Sequence, residues 1–382
     1  MAASNSNQSW WRKVLNIMLW GLTVIAALGT IAGAYGGDYS PAECRWLCLF
    51  VLSFPGWIVL LLMMTVLDAL WCRKALLAVV PTLVVCATAI YNFSPLNITG
   101  PSEKTYADCP KIKVLSYNVA GFHDNDSTYT YPGDFNRTID NIIQADADIV
   151  CIQEAYGIYS TKRNPVSRTQ LDTIHAMYPY IYTSCESLLL LSKYPATPLA
   201  TGHVDGKTND IAVYRLEVEG VPVTLFNVHL ESYNLRRNDK ELYQGITNLD
   251  KGGNSIRATL SGVKSQLIGK IVHSAEARAI NADRLCSYIE SLGGPNIIVT
   301  GDFNDVPGCY TLRQLAGHDL KEVYPKVGFG PMITFNADRF YFRIDHTLYR
   351  GALAPLSMTR GRVPSSDHYP LLTTFALTAP EK

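Results

Sequence analysis

Apolar residues occur in two regimes along this chain. Up to residue 94 they form three long stretches, Val14–Ala34, Trp46–Leu67 and Ala75–Phe93. At about 1.5 Å of helical rise per residue, roughly 20 residues cross the ~30 Å hydrocarbon core of a bilayer. Only a helix satisfies its own backbone there, so three membrane-spanning helices are predicted over about 14–34, 46–67 and 75–93. Trp10, Trp11, Trp46 and Trp71 stand near the ends of these stretches, as interfacial aromatics do. Pro55-Gly56 and Pro81 interrupt two of them, which membrane helices tolerate. A cleaved signal sequence fits less well, because the first stretch exceeds a signal core of about 7–15 residues and two more follow. Helices buried in a soluble core are the remaining alternative.

Beyond residue 110 the regime changes. Short β-branched runs recur at Ile112–Tyr117, Ile149–Ile152, Leu188–Leu191, Ile211–Val218, Val223–Val228 and Ile297–Thr300. Helical stretches separate some of them, over Phe135–Ala145 and Ser255–Leu292. This alternation predicts an α/β layered domain over 111–382, long enough to bury a large core. Residues 95–110, with Pro95, Gly100 and Pro101, read as a polar linker between it and the 1–94 membrane region.

Charge sharpens this division. The chain has 33 basic and 33 acidic residues, but only 5 basic and 3 acidic fall in the first 94. Balanced charge argues against a nucleic-acid coat protein and against an acidic disordered chain. Arg12 and Lys13 precede the first span, and Arg73 and Lys74 lie between the second and third. The positive-inside rule then places the N-terminus in the cytoplasm and the large domain on the extracytoplasmic side of a multi-pass protein. The nine cysteines are scattered, with no spacing that suggests zinc. Asn92, Asn97, Asn125 and Asn136 begin Asn-x-Ser/Thr sequons, a pattern that arises often by chance.

Polar residues gather at the ends of the predicted strands. Asn118 ends the first, Gln153-Glu154 the second and His229 another, while Gly301-Asp302-Phe303-Asn304 follows Ile297–Thr300. Arg343-Ile344-Asp345-His346 and Ser366-Asp367-His368 complete the series. Singly, each reads as a cap or turn. Together, an acid, amide or imidazole delivered repeatedly to strand ends suggests a ligand site. Oxygen donors without thiolates select Mg²⁺ or Mn²⁺ over zinc. Such an ion suits phosphoester hydrolysis, in which a carboxylate base and a charged histidine flank the phosphate.

The ordered set Leu115-Ser116-Tyr117-Asn118, Gln153-Glu154, Leu191-Ser192-Lys193-Tyr194-Pro195, Asn227-Val228-His229-Leu230, Gly301-Asp302-Phe303-Asn304, Ile344-Asp345-His346 and Ser366-Asp367-His368 resembles the endonuclease/exonuclease/phosphatase superfamily. That superfamily includes deoxyribonucleases, exonuclease III and neutral sphingomyelinases, and the chain resembles a membrane-anchored, bacterial-type member. The resemblance covers about Lys111 to Leu377. It implies a four-layer α/β sandwich, two packed mixed β-sheets flanked by helices, preceded here by an all-α transmembrane segment. It further implies that Glu154, Asn118 and Asp367 hold the metal. Asp302 and Asn304 then orient and deprotonate the attacking water, His368 meets the phosphate with Asp345 fixing its tautomer, and His229 is the second histidine. Every key position holds the expected residue type, which argues against an inactive binding scaffold.

The substrate is less legible. A phosphodiester, in nucleic acid or a phospholipid headgroup, is the first expectation. A phosphomonoester on a lipid or inositol is the second. The bilayer is the other expected partner, and no protein partner is implied. Ser232–His273 carries Arg236, Arg237, Lys240, Lys251, Arg257, Lys264 and Lys270 against three acids, which suits an anionic ligand or a solvated helical face. Arg278 suggests packing or an ion pair.

Overall fold

The structure, a computed structural model, describes residues 2–101, 103–123, 135–156, 158, 166–185, 187–203, 210–233, 256–337, 340–363 and 365–378. Asn125 and most of the basic stretch, including Arg236, Arg237, Lys240 and Lys251, lie outside the described residues.

The apolar first third is helical. Helix α1 spans Ala2–Tyr35, α2 Leu47–Leu52, α3 Phe54–Trp71, α4 Leu76–Val85 and α5 Ala87–Phe93. Two segments, Trp10–Asp38 and Phe54–Trp71, are long and apolar enough to cross a membrane; Arg73–Val85 and Ala87–Phe93 form a third candidate bent by 62°. The second apolar stretch differs from expectation by dividing at Ser53. Pro55 enters the first turn of α3, where its missing N–H costs nothing, and starts a new helix. The severed piece, α2, sends Val51 into the core of the large domain. A buried Thr23 hydroxyl donates to Asp68 at 2.7 Å, joining α1 to α3 through a polar contact.

In the large domain, β1 (Lys111–Asn118), β2 (Ile149–Gln153), β3 (Tyr180–Ser184) and β4 (Leu188–Ser192) belong to one sheet. The strands β5 (Ala196–His203), β6 (Asp210–Val218), β7 (Val221–His229), β8 (Ile297–Asp302) and β9 (Lys321–Glu322) belong to a second. A hairpin follows, β10 (Phe335–Ala337) and β11 (Phe340–Phe342), and β12 (Asp345–Arg350), β13 (Leu353–Arg360) and β14 (Leu371–Leu377) close the chain. Sheet one runs β13-β14-β1-β2-β4-β3 and sheet two β5-β6-β7-β8-β12-β9. Both are mixed: β1 with β2 and β7 with β8 are parallel, and the other pairs antiparallel.

Alternation within apolar strands builds the layers. Leu188 and Leu190 face sheet two, packing with Tyr214, Leu225 and Phe375. Leu189 and Leu191 face the other way, onto Ile139, Ile142 and Ile174 of α6 (Arg137–Ala145) and α7 (Arg168–Met177). Beyond sheet two, Val213, Phe226 and Val299 pack on Leu285 and Ile289 of α8 (Ile256–Leu292) and Leu312 of α9 (Tyr310–Gly317). Strands covered on both faces carry apolar residues at both parities, which is why they read as unbroken runs. The result is the expected four-layer sandwich. Asn136 is buried at the N-cap of α6, accepting from the Thr138 and Ile139 amides, so its sequon is closed to glycosylation in the folded domain.

The expected linker begins as a docked segment. Asn97 donates its side-chain amide to Gly328 O at 2.8 Å, and Gly330 N donates to Pro95 O at 2.7 Å.

Candidate active site

Two parallel strand pairs end at the same edge of the sandwich. Register sets Asn118 opposite Gln153, His229 opposite Asp302, and Asp302 opposite Asp345. The strand-end residues read from the sequence therefore meet across the gap between the sheets. Glu154, one residue past β2, and Asn304, two past β8, both adopt left-handed backbone at φ 53° and 51°. Non-glycine residues pay about 1–2 kcal/mol for that conformation. The strain turns both side chains back into the site.

Asp302 is the hub. It is buried, and its Oδ2 accepts from Asn118 Nδ2 at 3.0 Å and Asn304 Nδ2 at 3.2 Å. Its Oδ1 accepts from the Asn304 backbone N–H at 2.8 Å. Two imidazoles flank it, His368 Nε2 at 3.5 Å and His229 Nε2 at 3.8 Å. Glu154 Oε1 lies 3.1 Å from Asn118 Nδ2 and 3.6 Å from His229 Nε2. Glu154 is the open member, its side chain 34% exposed.

His368 is fixed from behind, its Nδ1 2.9 Å from Asp345 Oδ2. Burial alone pushes the His368 pKa down; the Asp345 and Asp302 carboxylates outweigh it and hold the value at about 10. Burial pushes the Asp345 carboxyl up, against the pull of His368. The two carboxylates thus favour the charged form of the His368 imidazole. Phe335 packs edge-on against the His368 ring, with centroids 4.9 Å apart.

Among the described residues, Asp302, Asp345 and His368 form the one cluster of three acidic or imidazole ligand atoms close enough for a common ion. The expected ligand set was Glu154, Asn118 and Asp367. Of these, Glu154 and Asn118 are brought together, and Asp302 joins them. Asp367 is half-buried, its carboxylate 3.5 Å from Ser366 Oγ. The donors around Asn118 suit a hard divalent cation: two carboxylates lean on one amide, no thiol enters the group, and positive charge between them offsets their repulsion.

Supporting residues escaped the sequence reading. Thr334 Oγ1 accepts from the Ile344 and Asp345 amides and fixes the start of β12. Ser366 Oγ donates to Asn118 O and accepts from the His368 amide, tying two site segments together. Beneath the site, Gln153 Nε2 donates to Asn227 Oδ1 at 2.7 Å across the sheet interface. A polar residue inside an otherwise apolar strand was the signal for that last pair. Arg278, expected to pack or pair, is buried and bonds Asp305 at 3.0 Å and Glu231 O at 3.0 Å.

No curated protein matches the chain. Among solved structures, truncated Caenorhabditis elegans TDP2 is 17% identical, covering 70% of this chain and 97% of its own, with a TM-score of 0.43. An endonuclease/exonuclease/phosphatase from Bacteroides vulgatus is 16% identical, covering 70% and 99%, with a TM-score of 0.42. The human Nocturnin catalytic domain with bound sulfate is 15% identical, covering 71% and 96%, with a TM-score of 0.45. The sequence model of the endonuclease/exonuclease/phosphatase family matches residues 115–368, which takes in every residue of the site, and the chain belongs to that family.

Proposed function

We propose that this protein is a membrane-anchored, divalent-metal-dependent phosphodiesterase that attacks its substrate with an activated water. The observation carrying this reading is Asp302: a buried carboxylate held by two amides, with an imidazole on either side. Glu154, Asn118 and Asp367 would hold Mg²⁺ or Mn²⁺. Such an ion, when bound, neutralises phosphate charge and polarises the P–O bond.

The chain's own residues account for the rest. Asp302 accepts the proton of the attacking water. The amides of Asn118 and Asn304 fix its carboxylate, so no reorganisation is needed when the proton arrives. His368, kept charged by Asp345, donates from Nε2 to the phosphate as negative charge builds there. His229 Nε2 faces the same space from β7. Helices Trp10–Asp38 and Phe54–Trp71, with the bent third candidate, support membrane anchoring. An extracytoplasmic catalytic domain follows from the basic residues at Arg12, Lys13, Arg73 and Lys74; protease accessibility on intact cells tests it.

Purified full-length protein in detergent should hydrolyse bis(p-nitrophenyl) phosphate in Mg²⁺, stop in EDTA, and lose the activity in Asp302→Ala. A folded wild-type protein that leaves the diester intact in both Mg²⁺ and Mn²⁺ would overturn the assignment.

A further inference from the structure

Helix ends press against the same loops that carry the site. The guanidinium of Arg343 donates to Asn92 O at 2.7 Å, at the end of α5, and Arg343 is two residues from Asp345. Two residues span at most about 7 Å. At the end of α1, Arg313 donates to Ala34 O at 2.7 Å and pairs with Asp38 at 3.2 Å. Gly37 touches Gly308, six residues past Asp302, so closely that a Cβ on Gly37 would lie 1.9 Å from Gly308 O. Leu96 bridges to Phe329 just beyond α5. The strand-end loops on β8 and before β12 are therefore fastened to one end of the apolar helices.

This geometry sets the height of the site above a bilayer. The headgroup layer adds about 5–8 Å to each side of the hydrocarbon core. Asp345 lies within a few residue lengths of the helix end, so with the apolar helices in a bilayer the site stands close to the headgroup layer. Large apolar side chains stand exposed beside the helix end and on the hairpin: Ile98 is 85% exposed, Leu96 65%, Phe329 63% and Tyr341 56%. Tyr341 belongs to the β10–β11 hairpin whose Phe335 packs on His368. Leu96 and Ile98 follow α5 and Phe329 bridges to Leu96, so these three extend the apolar surface of the helices, as residues bathed in the interface do. A polynucleotide favours a broad basic track instead, and residues 95–382 carry 28 basic against 30 acidic side chains.

We infer that the substrate is the headgroup phosphoester of a lipid resident in the bilayer, taken without leaving it. This rests on the phosphodiesterase reading above and narrows its substrate class. In the reaction, the water oxygen bonds to phosphorus and one ester P–O bond breaks. Of the two protons of water, one ends on the leaving oxygen and one, through Asp302, in solvent.

The test uses full-length protein reconstituted in vesicles of phosphatidylcholine, phosphatidylethanolamine, phosphatidylglycerol, phosphatidylinositol and sphingomyelin. Release of water-soluble phosphate or headgroup is compared with cleavage of the deacylated, water-soluble diesters, plasmid DNA and bis(p-nitrophenyl) phosphate. The expected result is release from vesicles at least about tenfold faster than from the deacylated diesters, lost in part in Ile98→Asp and Phe329→Asp while bis(p-nitrophenyl) phosphate turnover stays unchanged. Cleavage of bis(p-nitrophenyl) phosphate with no release from vesicles overturns the inference and leaves the phosphodiesterase standing. So does DNA cleavage alone, or equal rates on deacylated and bilayer diesters. Failure to cleave bis(p-nitrophenyl) phosphate or any other substrate overturns both.

Discussion

In the proposed mechanism Asp302 carries several roles in one carboxylate, so its removal is expected to be the severest single change at the residue scale. Asp302→Ala should lower turnover of a soluble diester by roughly 10³-fold or more while the fold persists, read by initial rates and circular dichroism. Glu154→Gln removes a charge at the open side of the site. It should raise the Mg²⁺ concentration needed for half-maximal rate about tenfold or more, with partial rescue at high Mg²⁺. An unchanged Mg²⁺ requirement would remove Glu154 from the ligand set. His368 gives a pH-dependent expectation for the metal-free protein. Its pKa of about 10 stands above the ordinary value of 6.5, so its partnership with Asp345 stabilises the fold fully below pH 6.5 and is lost as pH rises through 10. The stability gap between wild type and His368→Gln in EDTA should therefore narrow between pH 7 and pH 10. In Asp345→Asn, NMR titration should find the imidazole pKa displaced downward.

At the scale of the element, strand ends deliver the chemistry and close backbone contact sets their register. Gly301 lies in β8 opposite Val228 of β7, with φ 147°, and a Cβ there would fall 2.0 Å from Val228 O. Gly301→Ala should therefore force β7 and β8 apart and cost roughly 3 kcal/mol or more, measured by denaturant unfolding. Because His229 and Asp302 end these two strands, turnover should fall with it. The Gly-Asp-Phe-Asn motif thus joins a packing demand to a chemical one: the glycine admits the neighbouring strand, and the aspartate emerges at its end.

The whole molecule is organised around buried arginines that join distant segments. Arg343 pairs with Glu322 at 3.3 Å, stacks on Tyr324 at 4.6 Å and bonds the end of α5. Burial pushes the Glu322 carboxyl up, but Arg343 and His346 outweigh it and hold it low. His346 completes the chain, with Nδ1 2.9 Å from Glu322 and Nε2 3.0 Å from Asp305 O. Arg278 takes up the Asp305 carboxylate beyond. A continuous polar network therefore runs from the end of α5 through Arg343, Glu322 and His346 to Asp305 and Arg278. Arg343→Gln would leave His346 as the remaining charged partner of Glu322 and remove the bond to the end of α5, and should cost about 1–3 kcal/mol, read as a lower unfolding midpoint in detergent.

By itself the sequence determined the division into an apolar helical third and an α/β domain, because uninterrupted apolar length and strand-like runs are local properties. It also placed Asn118, Glu154, His229 and Asp302 at strand ends, since each ends or follows a predicted strand, while Asp345 and His368 were legible from their motifs and order alone. Tertiary structure alone decided which of them touch. Asp302 meets Asn118 because β8 lies across the interface from β1, and Ser366, buried beside Asp367, bonds Asn118 O from the segment before β14. Arg343, Thr334 and the Gln153–Asn227 pair likewise act through partners 10 to 251 residues away, which no local pattern encodes. The break at Ser53 was written in Pro55, yet its consequence, Val51 in the core of the large domain, required the domain to be there. Local chemistry in this chain is set by residue type and order, and the coupling between its segments by burial that only the closed fold creates.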